Sequence, residues 1–118
     1  MTRAEAMADL RRQFGEVTEL PLTAEPGYVL AIVEEPQPVP GTSQRTRVAF
    51  KLPDPIGDRP PQYVEPQVRT RNGGDPNGAR NEQLEGQLWR TWSLNTAWAP
   101  ARNRLSQLVH TVLSVWDR

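Results

Sequence analysis

The stretch EGQLWRTWSLNTAWAPARNRLSQLVHTVLSVW, residues Glu85–Trp116, holds all four tryptophans of the 118-residue chain. Its second half places apolar residues at the three- and four-residue spacing of an amphipathic helix, with Pro100 suited to the first helical turn. The apolar positions are Leu105, Leu108, Val109, Val112, Leu113 and Trp116. The stretch therefore predicts a final helix with one buried face, preceded by a turn-rich segment that carries Trp89, Trp92 and Trp98.

The first residues of the chain predict another helix, which begins after Thr2 and ends before Gly15. Threonine is a common N-cap residue, and glycine is common just after the last helical turn. A weak apolar stripe runs along this helix at Ala4, Met7, Ala8, Leu10 and Phe14.

Four segments between the two predicted helices have the composition and period of β-strands. EVTELPLTA and GYVLAIVEE are separated by the turn-forming EPG and predict a hairpin. RTRVAFKLP alternates polar and apolar residues up to Pro53, and QYVEPQVRT is interrupted by Pro66, which predicts a short, bulged or edge strand. The expected fold class is α+β: an N-terminal helix, a four-stranded antiparallel meander and a C-terminal helix, with the helices on one face of the sheet.

A long loop is expected after the fourth strand. The sequence RNGGDPNGARNEQLE, Arg71–Glu85, concentrates glycine, asparagine, aspartate and proline, which favour turns over strand ladders. We therefore expect a surface flap over about residues 71–88.

Composition excludes several classes of function. A chain of 118 residues suits one ordinary domain, here residues 1–118, and its zero formal charge with dispersed basic residues argues against nucleic-acid binding. No apolar run approaches the ~18 residues of a membrane span, and no signal-peptide core is present, which predicts a cytoplasmic protein without membrane contact. The chain has no cysteine and only His110, so we expect neither a zinc site nor a cofactor.

Five short motifs follow one another in an order that resembles the ubiquitin-conjugating enzyme fold. They are FKLP at Phe50–Pro53, RPP ending at Pro61, YVEPQV, GQLW at Gly86–Trp89 and WAP at Trp98–Pro100. The resemblance covers most of the chain and implies a divergent variant of that family. The thirteen arginines against one lysine are consistent with a prokaryotic source and are also what an arginine-rich genome would give.

The chain departs from the family at the catalytic cysteine. Active members carry Gly-x-Ile-Cys, whose thiolate attacks the activated C-terminal carbonyl of a ubiquitin-like protein and forms a thioester. Here the segment is Gly86-Gln87-Leu88-Trp89, so Trp89 stands at the lost-cysteine position and no thioester can form. The family's flap asparagine, an oxyanion-stabilising donor, could be matched by Asn77 or Asn81. Neither follows a histidine, and both would also suit ordinary turns.

Two functional classes follow from the resemblance. The first is a non-catalytic variant that binds a ubiquitin-like protein, or a homologue of a conjugating or activating enzyme. The second is a transferase in which the hydroxyl of Ser93 or Thr91 takes the acyl group as an oxyester. A hydroxyl needs an activating base, His110 lies in the predicted helix, and hydroxyls in such segments usually serve turns or caps.

The tryptophans have two interpretations at this stage. Trp98 matches a family tryptophan that packs beneath the active-site segment, and Trp116 continues the helix stripe, so both are expected in the core. Trp89 and Trp92 either fill the core in the same way or anchor a partner protein, a common use of exposed tryptophan.

Overall fold

A computed structural model describes residues 1–35, 45–70, 73–76 and 78–116 of the chain. Two α-helices and six β-strands occur in this described part. In chain order they are α1 (Arg3–Phe14), β1 (Val17–Pro21), β2 (Val29–Glu35), β3 (Thr46–Leu52), β4 (Gln62–Val64), β5 (Arg80–Leu84), β6 (Gln87–Thr91) and α2 (Leu105–Trp116). The predicted α+β class, with a helix before the sheet and a helix after it, is confirmed.

The strands form one antiparallel sheet in the order β1-β2-β3-β4-β6-β5. Strands β1 to β4 follow the predicted meander, and β4 is as short as Pro66 suggested, with three residues. The prediction of four strands is wrong, however, because β6 pairs with β4 and β5 forms the new edge.

Strand β5 and the first two residues of β6 lie inside the stretch that we expected to be a flap, about residues 71–88. Leu84 pairs with Gln87, so only Glu85 and Gly86 connect the strands, and both have positive φ, 50° and 76°. Two residues of positive φ are the geometry of a tight hairpin turn whose twist matches its strands. The flap expectation therefore fails from Arg80 onward, whereas residues 73–76, 78 and 79 are irregular, as expected.

Helix α1 begins where the sequence predicts. The amide of Glu5 donates to the Thr2 hydroxyl at 3.1 Å, and the amide of Thr2 donates to the Glu5 carboxylate at 3.0 Å. This reciprocal capping box satisfies two N–H groups that the helix itself cannot pair. The hydrogen bonds from Thr2 also lower the pKa of Glu5 below its ordinary value.

Helix α2 begins at Leu105, five residues later than the position of Pro100 predicted. Pro100 instead lies in a separate turn, in which the amides of Arg102 and Asn103 donate to the carbonyl of Ala99 at 2.9 and 2.8 Å. The helix is capped from α1: the Ser106 amide and hydroxyl donate to the buried Asp9 carboxylate at 2.9 and 3.1 Å. An acceptor 97 residues away in sequence thus ties the two helices together.

The sheet is buried on both faces. Both helices pack on one face, where β3 contributes Val48, Phe50 and Leu52. The opposite face carries a second apolar cluster made of Leu22, Leu30, Ile32, Ala49, Tyr63 and Trp89, with Leu20 and Leu84 packed against it. We call this opposite side the helix-free face.

The helix-free face is concave, because the two ends of the sheet approach one another across it. The amide and hydroxyl of Thr23, just after edge strand β1, donate to the carboxylate of Glu85 at 2.5 and 3.0 Å. Glu85 belongs to the turn of the β5–β6 hairpin at the other end of the sheet. The contact brings the sheet towards the closure of a barrel. No helix in the described part of the chain is long and apolar enough to cross a membrane.

Candidate functional site

Trp89, which the sequence resemblance aligns with a catalytic cysteine, lies in the middle of strand β6 and has no exposed surface. It pairs across the hairpin with Glu82 and belongs to the cluster on the helix-free face. The guanidinium carbon of Arg47 lies 5.0 Å from its ring centroid, a cation–π contact. The indole Nε1 is buried and meets no partner among the described residues. The position is therefore filled by an enclosed aromatic side chain.

Trp92 and Trp116 pack against each other in the core between the helices and the sheet. Their ring centroids are 5.1 Å apart at an interplanar angle of 85°, an edge-to-face arrangement that aromatic rings favour. Trp92 is 3% exposed and Trp116 is not exposed. The expectation that Trp116 lies in the core is confirmed, and Trp89 and Trp92 take the core-filling alternative.

Trp98 packs against the edge of the core and is partly buried, so the expected core position is confirmed only in part. Its indole Nε1 donates to the carbonyl of Gly57 at 3.0 Å. This hydrogen bond ties the segment before α2 to the proline-rich connection between β3 and β4.

The two candidate hydroxyls have different surroundings. Thr91 is 5% exposed, and its Oγ1 donates to the carbonyl of Gln62 at 2.9 Å. Ser93 is exposed, and it faces Gly78 so closely that a Cβ there would lie 2.6 Å from the Ser93 Oγ. His110 is exposed on α2, with its ring 6.0 Å from that of Phe14 at the end of α1. The structure shows neither hydroxyl in contact with this histidine.

The structure does not bring Asn81 to the side of Trp89. Asn81 pairs with Arg90 across the hairpin, and Arg90 Nη1 donates to Asn81 Oδ1 at 3.5 Å. Because side chains alternate along a strand, these two residues face the helix side of the sheet and Trp89 faces the other. Asn77, the second candidate for the flap asparagine, lies outside the described residues.

Arg90 joins the irregular segment before β5 to the core, a role that the sequence did not reveal. Its guanidinium forms an ion pair with Asp75 and lies 5.8 Å from the ring of Trp116. Arg90 is 7% exposed, so the more exposed Asp75 supplies its main charged partner in the described part of the chain. This pair anchors the irregular segment before β5.

Two polar pairs lie near Trp89 on the helix-free face: Tyr63 with Glu82, and Arg47 with Glu65. Burial raises the pKa of the Tyr63 hydroxyl far above its ordinary value, and the negative charge and hydrogen bond of Glu82 raise it further. Glu65 accepts from Arg47 Nε at 3.3 Å, which holds the guanidinium over the tryptophan ring. Among the described residues, no group of three histidine, cysteine, aspartate or glutamate side chains could hold a metal ion.

Comparison of the chain with protein-family models, with curated proteins and with solved structures found no match. The resemblance to ubiquitin-conjugating enzymes therefore rests on the five sequence motifs given above.

Proposed function

We propose that this protein is a non-catalytic variant of the ubiquitin-conjugating type, which binds a ubiquitin-like protein or a homologue of a conjugating or activating enzyme. The observation that carries the proposal is Trp89, at the position of the lost cysteine and without exposed surface. An indole has no nucleophilic atom suited to acyl transfer, and a closed strand position leaves no room for an acyl group to approach.

The surroundings of the hydroxyls favour binding over oxyester transfer. Thr91 Oγ1 already donates to Gln62, and the loss of that hydrogen bond would leave a buried carbonyl unpaired. Ser93 has the exposure that a nucleophile needs, so an oxyester remains the alternative proposal at this residue alone. A serine hydroxyl is a weak nucleophile unless a base removes its proton.

Leu88 offers a contact surface beside the closed position. It is 41% exposed on β6 and, with Tyr28 at 37%, one of two exposed large apolar side chains in the described part of the chain. Its side chain lies on the helix side of the hairpin, where a partner could cover it. We propose Leu88 as part of the partner-binding surface.

The binding test uses the immobilised protein and a panel of purified ubiquitin-like, conjugating and activating proteins. We expect at least one to be retained, and Leu88→Arg to weaken its retention about tenfold or more because a charge would be buried at the contact. Tyr28→Arg is the matched control, with the same charge placed at the other exposed apolar residue. Failure of every protein in the panel to bind would overturn the proposed function.

A further inference from the structure

A cavity of about 310 Å³ opens on the helix-free face. Residues of β1, β2 and β3 and the start of β6 line it. We call it the mouth cavity. Apolar surface comes from Phe14 and Ile32, and charged groups come from Glu16, Glu34, Arg45 and Arg47. The mouths of barrel-like sheets are common places for small-ligand sites, and this volume lies within their usual range.

Arg47 has the geometry of a prepared anion-binding residue. Its Nε is held by Glu65 at 3.3 Å and its guanidinium carbon lies 5.0 Å from the ring centroid of Trp89, so two contacts hold the side chain in place. No partner among the described residues contacts its two terminal nitrogens, and the side chain is 34% exposed. These two N–H-bearing nitrogens form the fork that binds a carboxylate with two parallel hydrogen bonds.

The mouth cavity also has groups for a positive charge. Glu16 is exposed on the cavity wall and forms no ion pair within the described part of the chain. Glu34 pairs with Arg45 at 3.4 Å, but both side chains are at least half exposed, and such surface pairs are weak enough to exchange partners. A ligand ammonium can therefore contact Glu16 and Glu34 while a ligand carboxylate contacts Arg47.

We propose that the mouth cavity binds an α-amino-acid zwitterion with an apolar side chain. The carboxylate is bound by the Arg47 fork, the ammonium by Glu16, and the side chain lies against Phe14 and Ile32. The ligand carboxylate matches the two free terminal nitrogens of Arg47, whose Nε is paired with Glu65, the ammonium matches Glu16, and the apolar wall matches the side chain. This inference goes beyond the proposed function and holds whether or not a ubiquitin-like protein is the partner.

The test is calorimetric titration of the full chain with leucine, leucinamide and 4-methylpentanoate. These probes share one side chain, while leucinamide lacks the carboxylate and 4-methylpentanoate lacks the ammonium. We expect leucine to bind and each analogue to bind about tenfold more weakly or worse, because each leaves one charged group of the wall without its partner. Equal binding of all three probes, or no binding of leucine, would overturn the proposal.

Two variants assign the contacts. Arg47→Lys keeps the charge beside Glu65 but loses the fork, so leucine affinity should fall about tenfold while that for leucinamide stays the same. Glu16→Gln, at an exposed position, should weaken leucine but not 4-methylpentanoate. Arg102→Lys, exposed and outside the cavity, is the control. Unchanged leucine affinity in both cavity variants would contradict the assigned site.

A dipeptide distinguishes the source of the ligand. Glycyl-leucine carries its free carboxylate on leucine and moves its ammonium one residue away. Weaker binding than leucine supports a free amino acid, whereas equal or tighter binding contradicts the bound ammonium of the proposal and points to a protein C-terminus.

Discussion

Trp89 is the residue on which both the structure and the proposed function depend. It fills the centre of the helix-free cluster, with Leu30, Ile32 and Tyr63 as other members. The guanidinium of Arg47 lies over the ring of the same side chain, so Trp89 both packs the sheet and helps to position this charge.

Truncation of Trp89 should be costly. Trp89→Ala is expected to lower the free energy of unfolding by about 3–5 kcal/mol, because it leaves a large cavity in a closed cluster. Leu88→Ala, at the exposed neighbouring position, should change stability by less than about 0.5 kcal/mol. Urea denaturation of both variants measures the difference, and a loss below about 1 kcal/mol for Trp89→Ala would place the side chain at the periphery.

The raised pKa of Tyr63 predicts how the stability of the protein changes at high pH. Its pKa is raised in the folded protein, so the neutral hydroxyl is favoured by folding and ionisation is opposed. The stabilisation is complete below the ordinary tyrosine pKa of about 10 and is lost progressively as the pH rises above it. Tyr63→Phe should reduce the fall in stability between about pH 10 and 11. Identical pH profiles for Tyr63→Phe and the unsubstituted protein would contradict this explanation.

At the scale of elements, a distant residue caps α2 and a local two-residue turn forms the β5–β6 hairpin. The first turn of α2 contains no acidic residue of its own, and Asp9 from α1 accepts from Ser106 in its place. The β5–β6 hairpin depends on a two-residue turn, Glu85-Gly86, rather than on apolar strands, since β5 is mostly exposed. Both elements therefore depend on single polar or glycine positions.

The cap between the helices can be tested directly. Asp9→Ala is expected to lower the free energy of unfolding by about 1–2 kcal/mol, the usual range for loss of a helix cap. Asp58→Ala, at an exposed position, is the control and should change it by less than about 0.5 kcal/mol. A double-mutant cycle with Ser106→Ala by urea denaturation should give a coupling of at least about 0.5 kcal/mol between the two residues. Strict additivity would show that the cap contributes no interaction energy.

The geometry of the hairpin turn predicts that alanine substitutions at two glycines have different effects on stability. Gly86 has φ of 76°, which an alanine side chain disfavours, whereas Gly57 has no positive φ, and a Cβ at either would meet no atom within 4 Å. Gly86→Ala should therefore lower the free energy of unfolding by about 1 kcal/mol, and Gly57→Ala should leave it unchanged or raise it slightly. Thermal denaturation of both variants measures the difference. Equal effects of the two substitutions would argue against the two-residue turn.

For the molecule as a whole, the sequence predicted those parts of the fold that depend on local signals. The cap at Thr2, the alternation along β3 and the apolar stripe of α2 each lie within a dozen residues, and each matches the structure. Strand β5 was missed because RNEQL is a polar edge strand, which resembles a loop in composition.

The remaining features depend on pairs that are distant in sequence. The contact of Thr23 with Glu85 closes the concave face across 62 residues, and Arg47 meets Glu65, the residue after β4. No local pattern reveals such pairs, so the helix-free face and its mouth cavity could not be predicted. The sequence singled out Trp89 through its resemblance to the Gly-x-Ile-Cys segment, but it left open whether Trp89 lies in the core or on the surface.

The central claim, binding without bond formation, is tested most directly by the intact mass of the protein after incubation with ATP, a ubiquitin-like protein that it binds, and the activating enzyme of that protein. The account predicts an unchanged mass, while a conjugating enzyme in a parallel reaction becomes loaded. A mass increased by one ubiquitin-like protein, in an adduct that resists thiols, yields to hydroxylamine and disappears in Ser93→Ala, would contradict it and establish oxyester transfer.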